Sequence, residues 1–234
     1  MSAHSSLPDI GIGSHVRTIM GGRGLYVITD IGPARDPSLA RRVEAAINGG
    51  ARIVQYRNKA SQEAYPLVER IAEARELAVL CREKAACFVV NDDVELARAC
   101  DADGVHLGRD EDWQSDQALT TEMGDRSLLY GASCYNSLER AAERHAKGAH
   151  YLAFGRFFSS STKPSAVETS VSLLQEARVR FDCPLVAIGG ITAANATPLI
   201  EAGADWLAVV GSVFGQDSLE GVHDAAAELL ALFD

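Results

Sequence analysis

Several features are missing from this sequence, and each absence excludes a class of protein. No long apolar run is present, so we predict no membrane span. There is also no basic tract, and the formal net charge is −10, which argues against binding to nucleic acid or to an anionic membrane surface. If the ligands are phosphates, the positive charge that holds them must be local.

Paired cysteines are missing as well. The five cysteines are scattered without a C-x-x-C pair, and several lie inside apolar runs, where cysteine behaves as a small hydrophobic residue. The odd number and the spacing predict reduced thiols and a cytoplasmic location.

The first 22 residues differ in composition from the rest of the chain. They lack the charged start and apolar core of a signal peptide, and they are polar and rich in glycine and serine. We therefore expect a flexible leader over residues 1–22. No later change in composition marks a second domain, so residues 23–234 are predicted to form one domain.

Short apolar runs that stop abruptly at polar residues recur along the chain. Runs such as CFVV at 87–90 and GVHL at 104–107 have strand length without polar alternation, which is typical of strands buried on both faces. Helical stretches separate them, with Ser61 and Thr192 as expected helix caps. The eight strand–helix units predict the α/β class and a single (β/α)8 TIM barrel. The alternative is an open doubly wound sheet, but no G-x-G-x-x-G follows the first strand.

In such a barrel the strand ends meet at one mouth, where the active site lies. Acidic clusters follow the third strand, at 91–93, and the fourth, at 109–112. Carboxylates brought together there would suit Mg²⁺, whereas the alternative role is helix capping and solvated turns. His106, inside the fourth strand, is expected to be a hydrogen-bonded core residue rather than a base.

Other strand ends carry groups that suit anions. Gln55, Arg57 and Lys59 share one face if the second strand continues, which predicts an anion grip, with a solvated loop start as the alternative. The loop SSSTKP after the sixth strand can wrap a phosphate, or can be an ordinary polar surface loop. Gly189–Gly190 and Gly211–Ser212, after strands seven and eight, predict a phosphate site. The groups at these strand ends thus predict binding of a monophosphate and of a magnesium-bound diphosphate.

With these motifs, the sequence resembles the thiamine phosphate synthase family. The resemblance runs from Gly24 to about Phe214, through GLYVITD, QYRNK, VVNDDVELA, ADGVHLG, GASCYNSLERA, FGRFFSSSTKP and VAIGGITAANA…AGADWLAVV. It implies a transferase that joins hydroxymethylpyrimidine diphosphate to hydroxyethylthiazole phosphate, giving thiamine phosphate and diphosphate with Mg²⁺. It also implies that the pyrimidine C–O bond breaks first and that the thiazole nitrogen then attacks.

The resemblance also implies roles for individual residues. The grip on the pyrimidine diphosphate would be formed by Gln55, Arg57, Lys59 and Asn91. The departing diphosphate would be held by Ser133 and Lys163, with Arg57 also stabilising its charge. The thiazole phosphate side would be contacted by Ser160 and Thr162, and its phosphate loop formed by Gly190, Val210 and Gly211. The metal ligands would be Asp92 and Glu111.

Three positions depart from the family pattern. The second metal position usually carries Asp, and here Glu111 stands there with Asp112 next to it, so either could be the ligand. Ser160 stands where Thr is common, and Gly211 stands where Ser is common, which removes a hydroxyl but leaves the backbone N–H.

Two other functions remain as alternatives. A thiazole tautomerase would not need the acids or the cationic grip, and its catalytic His near the fifth strand is missing from SCYNS. A non-catalytic protein that binds thiamine precursors is the second alternative, against which the intact Arg57, Asp92 and Lys163 argue. The family also suggests a homo-oligomer, which nothing in the sequence tests.

Overall fold

Eight parallel strands form a closed barrel in this computed structural model, which describes residues 13–31, 36–59, 65–108, 128–159 and 169–234. Each strand pairs with the next in chain order, and β8 pairs with β1. The predicted TIM barrel is therefore confirmed. The strands are β1 Gly24–Ile28, β2 Ala51–Tyr56, β3 Cys87–Asn91, β4 Gly104–Leu107, β5 Leu129–Tyr135, β6 Tyr151–Gly155, β7 Leu185–Ile188 and β8 Trp206–Val209.

Helices surround this barrel in the part of the chain that the structure describes. They are α1 Ser14–Met20, α2 Leu39–Asn48, α3 Leu67–Glu83, α4 Val94–Ala99, α5 Leu138–Ala146, α6 Val171–Arg180, α7 Thr197–Glu201, α8 Gly211–Phe214 and α9 Leu219–Leu230, followed by a 3-10 turn at Ala231–Phe233.

The two predicted helix caps are wrong, and proline is the reason in both cases. Helix α3 begins at Leu67, directly after Pro66, and Ser61 lies outside the described residues. Helix α7 begins at Thr197 with Pro198 in its first turn, five residues after Thr192. Proline has no N–H and a fixed φ, so it favours the start of a helix over its interior.

Two apolar layers hold the fold together. The larger layer lies between the strands and the surrounding helices. The smaller one fills the barrel and includes Tyr26, Ile53, Val89, Tyr151 and Trp206. Strand residues alternate between the two layers, which explains why every strand is buried on both faces.

Helix α1 closes the amino-terminal end of the barrel. Its buried residues, Val16 and Met20, belong to the interior layer together with residues that start strands, such as Cys87 and Trp206. Full burial of a side chain such as Met20 contributes about 1.5–3 kcal/mol. Residues 14–20 of the expected flexible leader are therefore a packed helix, whereas residues 1–12 lie outside the described part. The domain boundary at residue 23 stays a prediction.

All five cysteines are free and buried. Burial raises the pKa of the Cys134 thiol to about 12, which keeps it protonated and unreactive. No helix within the described ranges is long and apolar enough to cross a membrane.

Candidate active site

A cavity of about 690 Å³ opens at the carboxyl ends of the strands. Its wall contains nine of the predicted site residues, which come from five different strand ends: Gln55, Arg57, Lys59, Asn91, Asp92, Ser133, Gly190, Val210 and Gly211. The structure therefore brings together residues that are separated by up to 156 positions in the sequence, from Gln55 to Gly211. The other predicted residues, Glu111, Ser160, Thr162 and Lys163, lie outside the described residues.

The end of β2 presents its cations to the cavity. Gln55, Arg57 and Lys59 all line it. Tyr56 packs in the outer apolar layer, and the Asn58 amide contacts the Tyr56 hydroxyl at 3.4 Å. The alternation continues past the last strand residue because a bridge between Ile31 and Asn58 extends the pairing with β1. The predicted common face is therefore present.

Both cations are balanced by carboxylates. The Arg57 guanidinium donates to Asp30, and Lys59 Nζ donates to Asp92 Oδ2 at 2.5 Å. Thr29 also holds Arg57, since its Oγ1 accepts the Arg57 backbone N–H at 2.9 Å. The role of Asp30 was not foreseen, although the polar stop after the first strand was visible in the sequence.

Asp92 is held in a fixed geometry at the end of β3. Its backbone has a positive φ of 61°. Oδ1 accepts the Gly108 N–H at 3.1 Å, and Oδ2 accepts from Lys59 and from the Asn91 amide. Burial would raise the pKa of Asp92, but the hydrogen bond and charge of Lys59, with the Asn91 hydrogen bond, lower it below its ordinary value. The carboxylate therefore stays ionised at neutral pH.

The neighbouring acid, Asp93, has a different role. Its side chain accepts the Leu96 N–H at 2.8 Å and caps α4. The capping alternative considered for the first acidic cluster is therefore correct for Asp93, while Asp92 faces the cavity.

The fit of a magnesium ion depends on Asp92. Within the described residues, no group of three or more His, Cys, Asp or Glu side chains could hold a metal. Magnesium usually takes one or two carboxylates and completes its shell with water and substrate phosphate oxygens. Asp92 is the one carboxylate among the described residues that line the cavity, and it would hold a magnesium ion that takes its other ligands from water and substrate. These described residues do not fit a metal held only by protein groups.

A chain of buried polar side chains lies inside the barrel, below the cations. Gln55 Nε2 donates to the Tyr26 hydroxyl at 2.7 Å, which is 2.9 Å from the Tyr151 hydroxyl. His106 Nδ1 lies 3.0 Å from that hydroxyl, and His106 Nε2 lies 2.9 Å from Ser133 Oγ. The sequence analysis did not predict a role for Tyr26 or Tyr151, although a tyrosine hydroxyl inside an otherwise apolar strand was a detectable signal.

These hydrogen bonds are continuous from Gln55 to Ser133. Gln55 donates to Tyr26, the Tyr26 and Tyr151 hydroxyls are hydrogen-bonded to each other, and the Tyr151 hydroxyl is hydrogen-bonded to His106 Nδ1. His106 Nε2 is hydrogen-bonded to the Ser133 hydroxyl, and Ser133 lines the cavity. Burial raises the pKa of both tyrosines far above the ordinary value, so neither loses its proton. This arrangement agrees with the expectation that His106 is a hydrogen-bonded core residue.

The opposite wall is a glycine loop. Gly189 and Gly190 have φ values of 106° and 65°. A Cβ at Gly189 would lie 2.3 Å from Arg156 Cβ, and one at Gly190 would lie 2.4 Å from Ser159 O, so larger residues do not fit. The Asn195 amide donates to Gly190 O at 3.0 Å and so fixes the loop. Thr192, which was expected to cap a helix here, does not do so. Arg156, which also lines the cavity, was not predicted.

Comparison with known proteins agrees with this fold. The family model described as thiamine monophosphate synthase matches residues 25–213. The chain belongs to this family. The resemblance inferred from the motifs is thereby confirmed, as is the prediction of a transferase.

Individual family members are similar over nearly their whole length. The thiamine-phosphate synthase of Acidithiobacillus ferrooxidans is 46% identical over 211 residues, covering 90% of this chain and 94% of that protein. That of Thiobacillus denitrificans is 47% identical over 218 residues, covering 93% and 97%. The solved structure of thiamine phosphate pyrophosphorylase from Pyrococcus furiosus is 34% identical, with a TM-score of 0.77 and coverage of 93% and 97%.

The buried polar chain leads to a prediction for Tyr151→Phe. The substitution removes the hydroxyl that is hydrogen-bonded to both Tyr26 and His106, so both groups lose a partner. We expect a loss of about 1–3 kcal/mol in the free energy of unfolding, measured by urea denaturation. Tyr26→Phe and the double variant complete a double-mutant cycle. Because the two hydroxyls contact each other, the effects should couple by about 0.5 kcal/mol or more, and strictly additive effects would contradict the chain.

Proposed function

We propose that this protein is a thiamine phosphate synthase, which joins hydroxymethylpyrimidine diphosphate to hydroxyethylthiazole phosphate and releases diphosphate, with Mg²⁺ as cofactor. One observation carries the proposal. Cations, an ionised carboxylate and a glycine loop, which come from strand ends far apart in the sequence, line the same cavity.

The two sides of the cavity suit the two phosphorylated substrates. Arg57, Lys59 and Asp92 on the β2–β3 side would hold a diphosphate and its metal. On the β7–β8 side, Gly190 and Gly211 line the cavity, and their backbone N–H groups would bind a monophosphate. A volume of about 690 Å³ is within the range of small-molecule sites, roughly 300–1,000 Å³.

The reaction requires stabilisation of the leaving group more than activation of the nucleophile. As the pyrimidine C–O bond breaks, negative charge develops on the diphosphate, and Arg57, Lys59 and Lys163 would stabilise it. Magnesium bound by Asp92 and the diphosphate oxygens would supply further positive charge. Ser133, whose Oγ lies 2.9 Å from His106 Nε2, would hydrogen-bond to the leaving diphosphate. The thiazole nitrogen already has a lone pair and needs no general base.

A direct assay tests the proposal. The purified protein is mixed with the two substrates and Mg²⁺, and thiamine phosphate is measured by chromatography. We expect product that depends on both substrates and on the metal. Absence of product, when a known synthase is active under the same conditions, would overturn the assigned function.

Removing a group from the diphosphate side should slow the reaction. We expect Asp92→Ala and Lys163→Ala each to reduce turnover by roughly 10²-fold or more, since each would stabilise the transition state. Asp93→Ala is the matched control, because this neighbour caps α4 and should affect stability rather than turnover. A kcat like that of the wild type in either site variant contradicts the assignment.

The second metal ligand can be decided by comparing two substitutions. If Glu111 is the ligand, Glu111→Gln raises the magnesium concentration needed for half-maximal activity and Asp112→Asn does not, because an amide is a poorer ligand for magnesium than a carboxylate. A magnesium titration of the initial rate measures both. The reverse result assigns the position to Asp112.

A further inference from the structure

A buried carboxylate lies behind the cationic end of β2, outside the cavity. Glu73 on α3 is only 3% exposed and lies among the apolar residues of that helix face. Its Oε2 accepts the Tyr56 hydroxyl and its Oε1 accepts the Tyr65 hydroxyl, both at 2.8 Å. No Lys, Arg or His of the described chain forms a salt bridge with it.

A buried carboxylate such as that of Glu73 is not needed for the stability of the fold alone. A buried carboxylate loses its hydration, and well-packed apolar residues of similar volume usually stabilise a fold as well or better. Here the two hydroxyls compensate for that loss with charge-assisted hydrogen bonds. Burial and the nearby Glu73 charge raise the pKa of Tyr56, so its hydroxyl keeps the proton that it donates.

The position of the two tyrosines connects Glu73 to the site. Tyr56 is the last residue of β2 and directly precedes Arg57, and Asn58 contacts the Tyr56 hydroxyl from the same side. Tyr65 directly precedes Pro66, the residue before α3 begins. One carboxylate therefore binds the end of the strand that carries the cations and the start of the next helix. Side chains along β2 point alternately out of and into the barrel. The hydrogen bond that holds Tyr56 on the outer face therefore also holds the backbone from which Arg57 and Lys59 extend into the cavity.

We propose that Glu73 is a positioning residue for diphosphate binding: through Tyr56 and Tyr65 it holds the end of β2 so that Arg57 and Lys59 face the cavity with a fixed separation. The inference rests on the proposed function for the identity of the ligand. Catalytic and binding groups need support of this kind, because small displacements of charged groups weaken binding and catalysis strongly.

The test separates positioning from a purely structural role. In Glu73→Leu, binding of inorganic diphosphate in the presence of Mg²⁺, measured by calorimetry, should weaken about tenfold, and KM for the diphosphate substrate should rise by a similar factor. KM for the thiazole phosphate should stay nearly unchanged. Leu77→Ala is the matched control: it lies on the same buried face of α3 and should lower the melting temperature without changing diphosphate affinity.

The proposal is overturned if Glu73→Leu binds diphosphate like the wild type, or if Leu77→Ala weakens binding as much. If Glu73→Leu does not fold, Tyr65→Phe replaces it, since it keeps the carboxylate and removes one hydrogen bond. About threefold weaker diphosphate binding is then expected, and unchanged binding overturns the proposal.

Glu73→Gln, which still accepts one hydroxyl, should restore part of the affinity. Failure of the wild type to form thiamine phosphate would contradict the proposed function only, because the diphosphate titration still decides the role of Glu73.

Discussion

Pairing of β1 with β8 is the interaction on which the rest of the structure depends. It closes the parallel sheet, so that all strands end around one opening and no edge is left exposed. The short apolar strands then bury both faces, one toward the barrel interior and one toward the helices. Polar residues that follow the strands are brought within one cavity although they are far apart in the sequence.

The charge distribution agrees with the proposal that this acidic protein binds anionic substrates. The net charge is −10, yet Arg57 and Lys59 lie together in the cavity wall. Each is paired with a carboxylate, Asp30 or Asp92, so the cations are held in place without a ligand. In the proposed function, diphosphate oxygens would replace these carboxylates as partners of the two cations. Opposite charges thus keep the site ordered and limit the repulsion between its cations.

The barrel interior combines apolar packing with a continuous chain of hydrogen bonds. Tyr26 and Tyr151 belong to the interior apolar layer, yet their hydroxyls link Gln55 to His106 and Ser133. Outside the barrel, Glu73 organises Tyr56 and Tyr65 in a similar way. Gln55, Ser133 and the end of β2 therefore have support from residues behind the cavity wall, which is what an ordered site requires.

The sequence by itself determined the strand count, the barrel class and the identity of the residues at the strand ends. It could do so because two-sided burial demands short apolar runs, and because polar stops mark where those runs leave the core. It failed at the starts of α3 and α7, where proline outweighed an apparent serine or threonine cap, and at residues 14–20, whose packing against the barrel has no local signature.

Only the tertiary structure decided which polar atoms meet. Tyr26, His106 and Tyr151 come from strands that are not adjacent in sequence, and whether their hydroxyl and ring nitrogen atoms touch depends on the register of the closed barrel. The same holds for Asp30 with Arg57 and for Glu73 with its two tyrosines. The periodicity of a sequence tells which face a residue occupies, but distances of 3 Å between side chains are set by the packing of the whole barrel.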